Sequence, residues 1–292
     1  MKELSLLAIF IFALSILKLG AAETDTFCCT CKSDPFFKTR IEAAYSAGRF
    51  IGIKQDYLDL GLFVPVCLTD SLVSFIDGRG YRFNNAKWGL SSGIGLRKWL
   101  GNNQVAGVNV YYDYLEGRFH KSFNRCGFGF EWLGESLDFR VNTYLPLGNQ
   151  MNSSETVKYD DYIGSYHATC RENQFSIGKG FDAEVGGHFQ CWNNFTLYGA
   201  IGPYYYSSKQ KSNFFGGQAR IELSYNSLIS IQIRSSYDSV NQLRAQGQIQ
   251  ISIPFEILSN KLSSFCENPI LQPVRRNGVI FTDDCCDYKW NW

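Results

Sequence analysis

The sequence predicts an all-β fold, a transmembrane antiparallel β-barrel of about twelve strands, and three observations carry that expectation. Segments of roughly ten residues alternate apolar and polar side chains with period two. Aromatic residues gather near the ends of segment after segment, as they do where a hydrocarbon band meets water. The chain opens on an export-type leader, yet no later stretch approaches the ~18 apolar residues of a spanning helix. A soluble sandwich also alternates, but it seldom carries an aromatic cluster at strand ends.

Residues 1–22 read as a signal peptide: Lys2 supplies the basic start, Leu6 to Leu17 the apolar core, and Gly20-Ala-Ala22 small residues for cleavage. Residues 23–38 form a Cys-rich N-terminal arm, and 39–256 the barrel. Its first strand is expected at about Arg40 to Ile53. The second spans about Asp56 to Val66, where Leu58, Leu60, Leu62, Val64 and Val66 share a face. A third, weakly patterned, covers about Ser71 to Phe83. The stretch from Trp88 to Leu147 supplies four more and sets the pattern for the whole. After the turn Gly101-Asn-Asn-Gln104, Ala106, Val108, Val110, Tyr112 and Tyr114 oppose Val105, Gly107, Asn109, Tyr111 and Asp113. Phe128, Phe130 and Trp132 oppose Gly127, Gly129 and Glu131; Leu137, Phe139, Val141, Thr143 and Leu145 oppose Asp138, Arg140, Asn142 and Tyr144.

Residues 148–173 break this rhythm with polar and Tyr-Asp composition. They are expected to be the main exposed loop, since barrels keep long loops outside and short turns in the periplasm. Strands follow at about Gln174 to Gln190, Phe195 to Tyr206 and Phe214 to Asn226, then one in which Ile229, Ile231 and Ile233 oppose Ser230, Gln232 and Arg234. The last is the clearest: Leu243, Ala245, Gly247, Ile249, Ile251, Ile253 and Phe255 oppose Arg244, Gln246, Gln248, Gln250 and Ser252. An Ile row against a Gln row fits lipid outside and water inside. The tail, 257–292, reads as a lumenal plug or linker, as a periplasmic extension, or, from its ending Tyr288, Trp290, Trp292, as an aromatic signal for barrel-assembly machinery.

These residues resemble the β-domain of inverse autotransporters, the intimin and invasin group. The likeness is carried by Gly93-Ile-Gly-Leu-Arg-Lys-Trp-Leu-Gly-Asn-Asn, Val105 to Tyr114, Cys126-Gly-Phe-Gly-Phe-Glu-Trp132, Asn142-Thr-Tyr-Leu-Pro-Leu147 and Gly180-Phe-Asp-Ala-Glu-Val-Gly186. The resemblance implies a twelve-stranded outer-membrane barrel that anchors and exports a C-terminal adhesive passenger through its lumen. It also implies that Gln272-Pro-Val-Arg-Arg-Asn-Gly-Val-Ile280 is the linker within the pore. Only twelve residues follow Ile280, so the expectation is an anchor without an adhesin passenger. It would act as a surface, structural or host-contact protein; the alternative is a small porin-like diffusion channel.

The charge balance, 28 basic against 27 acidic residues, offers no nucleic-acid footprint. Gly (27), Tyr (17) and Phe (23) are abundant, as a lipid-facing band with interfacial rings requires. The ten cysteines, Cys28, Cys29, Cys31, Cys67, Cys126, Cys170, Cys191, Cys266, Cys285 and Cys286, are disulfide candidates in an exported chain. Adjacent cysteines bond each other only with strain, so Cys28-Cys29 and Cys285-Cys286 point to distant partners, other envelope proteins included. Cys170 and Cys191 are one candidate pair. The Cys28 to Cys31 cluster lacks a second pair at zinc-binding spacing, so no metal is expected. Gly89-Leu-Ser-Ser-Gly93 fits a nucleophile pattern in letters only, because Ser91 sits in a period-two strand with no helix after it. None of His120, His167 and His188 lies in a motif, so neither enzyme activity nor a cofactor is expected. Asp113, Glu131, Asp138, Arg140, Arg220, Glu222, Arg234 and Arg244 are assigned to the lumen, as an internal network that stiffens a narrow barrel or as an ion-selective lining. The expected partners are outer-membrane lipid, barrel-assembly machinery, disulfide-linked envelope proteins and a host surface met by the 148–173 loop. The expected location is the bacterial outer membrane after Sec-type export.

Overall fold

The computed structural model describes residues 39–67, 69, 71–101, 104–117, 121–159, 167–176, 179–192, 195–207, 213–255 and 269–291. The expected signal peptide and N-terminal arm lie outside the described residues. The strands, in chain order, are β1 (Arg40–Gly48), β2 (Tyr57–Cys67), β3 (Leu72–Phe83), β4 (Trp88–Gly101), β5 (Gln104–Glu116), β6 (Ser122–Leu133), β7 (Leu137–Leu147), β8 (Met151–Tyr159), β9 (His167–Ser176), β10 (Gly180–Trp192), β11 (Phe195–Tyr206), β12 (Phe214–Tyr225), β13 (Ile229–Asp238), β14 (Gln242–Pro254) and β15 (Thr282–Asn291). Twelve of them, β1 to β7 and β10 to β14, close into one antiparallel barrel, with β7 paired to β10 and β1 to β14. β8, β9 and β15 make a separate sheet in the order β15-β9-β8.

The alternation explains the closure. Ile249, Ile251 and Ile253 on β14 are 57, 47 and 42 % exposed on the outer wall, while Gln246 is 1 % exposed inside. Across the ladder Ile231 faces Ile249 and Gln232 faces Gln248, so like rows meet like rows. A slip by one residue would turn the whole Ile row into the lumen. Closure leaves the barrel no free edge, which the backbone requires in hydrocarbon. The faces expected for β2, β5 to β7, β13 and β14 are those observed, as are the inward positions of Arg220 and Glu222 on β12.

One rim carries short connections, such as 134–136 and 226–228, and the other carries the long one, 148–179. Outer-membrane barrels place short turns in the periplasm and long ones outside, which orients the molecule. At the outer rim the first strand stops at Gly48 rather than Ile53. Phe50 and Ile53 bridge to each other, and Phe50, Ile51 and Ile53 are buried in the barrel mouth.

Two sequence expectations are corrected here. Residues 148–173 are not a loop but chiefly the hairpin of β8 and β9, and the strand expected from Gln174 to Gln190 divides into the end of β9 and the start of β10. A polar two-stranded hairpin is marginal alone; here β15 adds the third strand, pairing Thr282 with Ser176 through to Asn291 with His167. The aromatic C-terminal segment is therefore no barrel strand. Residues 269–281 cross the barrel from one rim to the other. Ile270, in the short 3-10 turn Pro269–Leu271, packs on Val73, Val105 and Leu133. Val274 packs on Phe63, Phe75 and Tyr111, and Val279, Ile280 and Phe281 join Phe50, Tyr57 and Phe83 at the outer mouth.

Candidate functional site

The site is the lumen together with residues 269–281, called the strap below. Pro273 fixes its own φ and disfavours helix at Gln272, so the strap continues extended beyond its 3-10 turn. Successive side chains of an extended chain point to opposite sides. Arg275 thus reaches Glu222 on β12, its Nη2 donating to Oε1 at 3.1 Å and its Nη1 to Oε2. Arg276 turns to Asp113 on β5, donating from Nη1 to Oδ1 at 2.7 Å and from Nη2 to Oδ2 at 2.6 Å. Asn277 follows, its Nδ2 donating to Asp182 Oδ2 at 3.1 Å and its backbone N to Tyr144 Oη at 3.1 Å. Near the periplasmic rim Arg97 Nη1 donates to the carbonyl oxygens of Ile270, at 3.1 Å, and Gln272.

All eight residues assigned to the lumen lie on inward-facing positions, and the strap divides their roles. Asp113 and Glu222 hold it directly. Glu131 accepts from Arg97 Nε at 2.7 Å, and so braces a residue that holds it. Asp138 and Arg140 pair within β7 at 2.8 Å, and Arg140 Nη1 donates to Tyr198 Oη at 2.6 Å. Arg220 pairs with Glu184, Arg234 Nη2 donates to Gln246 Oε1 at 2.7 Å, and Arg244 Nε donates to Asn241 O at 3.2 Å. Charges taken from water need such partners.

Arg97, Arg125, Asp182, Glu184 and the two strap arginines were not singled out from sequence. The first four sit at inward-facing positions; for Arg125 the alternation of Gly127, Gly129 and Glu131 on the same strand is the signal that finds it, and for Arg97, Asp182 and Glu184 it is the period of two along β4 and β10. A cluster on β1 to β3, Arg79 with Glu42 at 2.7 Å and Asp59 and Asp77 each at 3.7 Å, leaves little trace in the sequence because β3 is weakly patterned. It borders a polar cavity of about 130 Å³ beside the strap, whose other walls include Gln232, Gln248 and Gln250.

Ser91 is a lumen residue: its Oγ donates to Asp113 Oδ1 at 2.7 Å and accepts from Arg276. His188 stands 3.3 Å from Asp138, the side chain of His167 is not described, and His120 lies outside the described residues. Among the described residues no three His, Cys, Asp or Glu side chains converge as metal ligands.

The disulfide expectation is corrected at one position. Cys126 is a free thiol on the outward-facing side of β6, between Tyr112 and Leu145, because the same alternation that turns Arg125 inward turns Cys126 to the lipid. Cys28, Cys29, Cys31 and Cys266 lie outside the described residues, and the side chains of Cys67, Cys170, Cys191, Cys285 and Cys286 are not described.

A closed twelve-stranded wall, apolar outside and charged within, with its own chain drawn through it, defines an integral outer-membrane β-barrel. The family model described as "Inverse autotransporter, beta-domain" matches residues 51–197, half of the chain, and the protein belongs to that family. No curated protein matches the chain. Among solved structures, one described as "Unveiling the Mechanism Behind the in-meso Crystallization of Membrane Proteins" shares the fold at TM-score 0.58 and 17 % identity, covering 86 % of this chain and 99 % of its own. An outer membrane channel from Pseudomonas putida F1 aligns at TM-score 0.49 and 11 % identity, over 79 % of this chain and all of its own. The KdgM porin in complex with disordered oligogalacturonate aligns at TM-score 0.43 and 8 % identity, over 73 % and 99 %.

Proposed function

We propose that this protein is an outer-membrane anchor and translocator that carries its own C-terminal segment through the barrel and displays it outside. There β15 joins the β8–β9 hairpin as a surface element that meets a host or a neighbouring envelope protein. The observation that carries this reading is the strap, gripped from Ile270 near the periplasmic rim to Phe281 at the outer mouth. Family membership supports the translocator role, and the apolar outer wall supports the lipid anchorage. In this reading the chain is exported by the Sec route and inserted by barrel-assembly machinery, the cysteines outside the barrel wall cross-link it to other envelope proteins, and it performs no catalysis.

Two measurements test it together: single-channel current through the refolded protein, and surface labelling of an epitope placed after Trp292 on intact cells. Little current with a labelled epitope is the expected result; a stable open level with an unlabelled epitope overturns it. The polar cavity beside the strap favours a second reading, a narrow diffusion channel, and the same recording distinguishes the two.

A further inference from the structure

The geometry points to a preformed receptor for a single guanidinium group in the lumen wall, and to that receptor as the device that sets the register at which the exported chain comes to rest. The inference rests on the translocator reading above and specifies what the wall recognises in the chain it carries.

The receptor has five sides. The Asp113 carboxylate is fully buried and receives both terminal nitrogens of Arg276. Ser91 Oγ accepts a third bond at 2.9 Å. The guanidinium lies over the Tyr111 ring, 4.2 Å from centre to centroid, with Tyr144 at 5.5 Å. Gly127 forms the floor, where a Cβ would come within 2.5 Å of Nη2. The planar fork of Arg suits this arrangement and the ammonium of Lys does not.

The site exists before its ligand arrives. Arg125 pairs with the same carboxylate at 2.8 Å, and Ser91 bonds its other oxygen, so Asp113 is oriented without Arg276. Arg125 then donates to the carbonyl of Asn277 at 2.5 Å, which ties recognition of the side chain to the backbone that follows it. Gly278 passes close under the Tyr81 hydroxyl, where a side chain would collide.

Arg275 makes the recognition position-specific. Moving the strap by one residue in either direction sends Val274 to Glu222 or Asn277 to Asp113, and leaves a buried carboxylate without its strap partner. Only one register satisfies both walls, and in that register Thr282 emerges opposite Ser176 to start β15. The ligand class is thus an extended peptide bearing two consecutive arginines.

The test uses full-length protein in lipid vesicles, with heat-shifted gel migration as the check that the barrel is folded. Hydrogen exchange is followed over residues 269–291. Arg276→Ala is expected to speed exchange there by at least about tenfold, because charge-assisted bonds and the β15 pairing are lost together. Adding about 10 mM guanidinium chloride, far below denaturing strength, is expected to restore protection to Arg276→Ala, whereas the same concentration of potassium chloride is not. Arg276→Lys should be loosened and stay loosened with guanidinium. Asp113→Asn should also be loosened and unrescued, which keeps the test alive if one variant fails to fold. Wild-type exchange in Arg276→Ala, or equal rescue by both salts, overturns the receptor. Rapid strap exchange with steady current in the wild-type protein would instead overturn the translocator reading beneath it.

Discussion

Replacing Arg97 by Met removes a side chain that is fully buried and serves two masters, the wall and the strap. Its Nε bonds Glu131 at 2.7 Å, and Glu131 is 2 % exposed, so the variant strands a carboxylate away from water. Breaking a buried pair from one side costs about 3–5 kcal/mol. The carbonyls of Ile270 and Gln272 lose this donor as well, adding about 1–3 kcal/mol. The guanidinium centre also lies 5.9 and 4.9 Å from the Phe63 and Phe75 ring centroids, a cation–π attraction that Met forfeits, adding about 0.5–2 kcal/mol, while the apolar Met chain still fills much of the space. Arg97→Met/Glu131→Gln removes the stranded charge and should regain the larger share, leaving mainly the carbonyl cost. Urea unfolding from lipid vesicles, followed by tryptophan fluorescence, measures both variants. The reasoning is refuted if Arg97→Met lies within about 1 kcal/mol of wild type, or if the double variant is no more stable than the single.

Three further outcomes follow from the wall. Ile221→Lys, placed on the lipid face near the middle of β12, should cost about 2–4 kcal/mol in the same assay, while Gln248→Lys on the cavity side should cost less than about 1 kcal/mol. Gly127→Val keeps every charge but crowds Arg276; a loss of about 1–3 kcal/mol with faster strap exchange is expected, and an unchanged strap would refute the crowding. Non-reducing peptide mapping should return Cys126 as a thiol, and a bilayer-soluble maleimide should reach it where a charged one does not; a disulfide at this position would show that the face of β6 is misassigned.

Most of the barrel was legible because lipid and lumen impose opposite demands on alternate residues. The Ile and Gln rows of β13 and β14 could be read singly, without knowing what either strand pairs with. The β8–β9 hairpin was not legible for the same reason inverted: its strands are not part of the barrel wall, so no contrast of lipid and lumen imposes alternation on Met151-Asn-Ser-Ser-Glu, and its third strand lies more than a hundred residues downstream. The lumen charges divide similarly. That Asp113 and Glu222 point inward follows from parity alone. Their strap partners are set by where the tail runs, and Asp113 and Arg276 are 163 residues apart in sequence. A basic pair in a tail carries no sign of the acid it will meet.

The strap enters the barrel at one rim and leaves at the other, so a pull on the outer sheet is directed along the pore axis. Such a load reaches the wall through Arg275, Arg276 and Arg97 at once, as shear shared among side chains spread over several strands. It does not unzip the ladder pair by pair, because β1 is stitched to β14 along its whole length and offers no loose end to peel. A tether of this design yields by dragging the rope through its eyelet, and the eyelet itself can survive the failure.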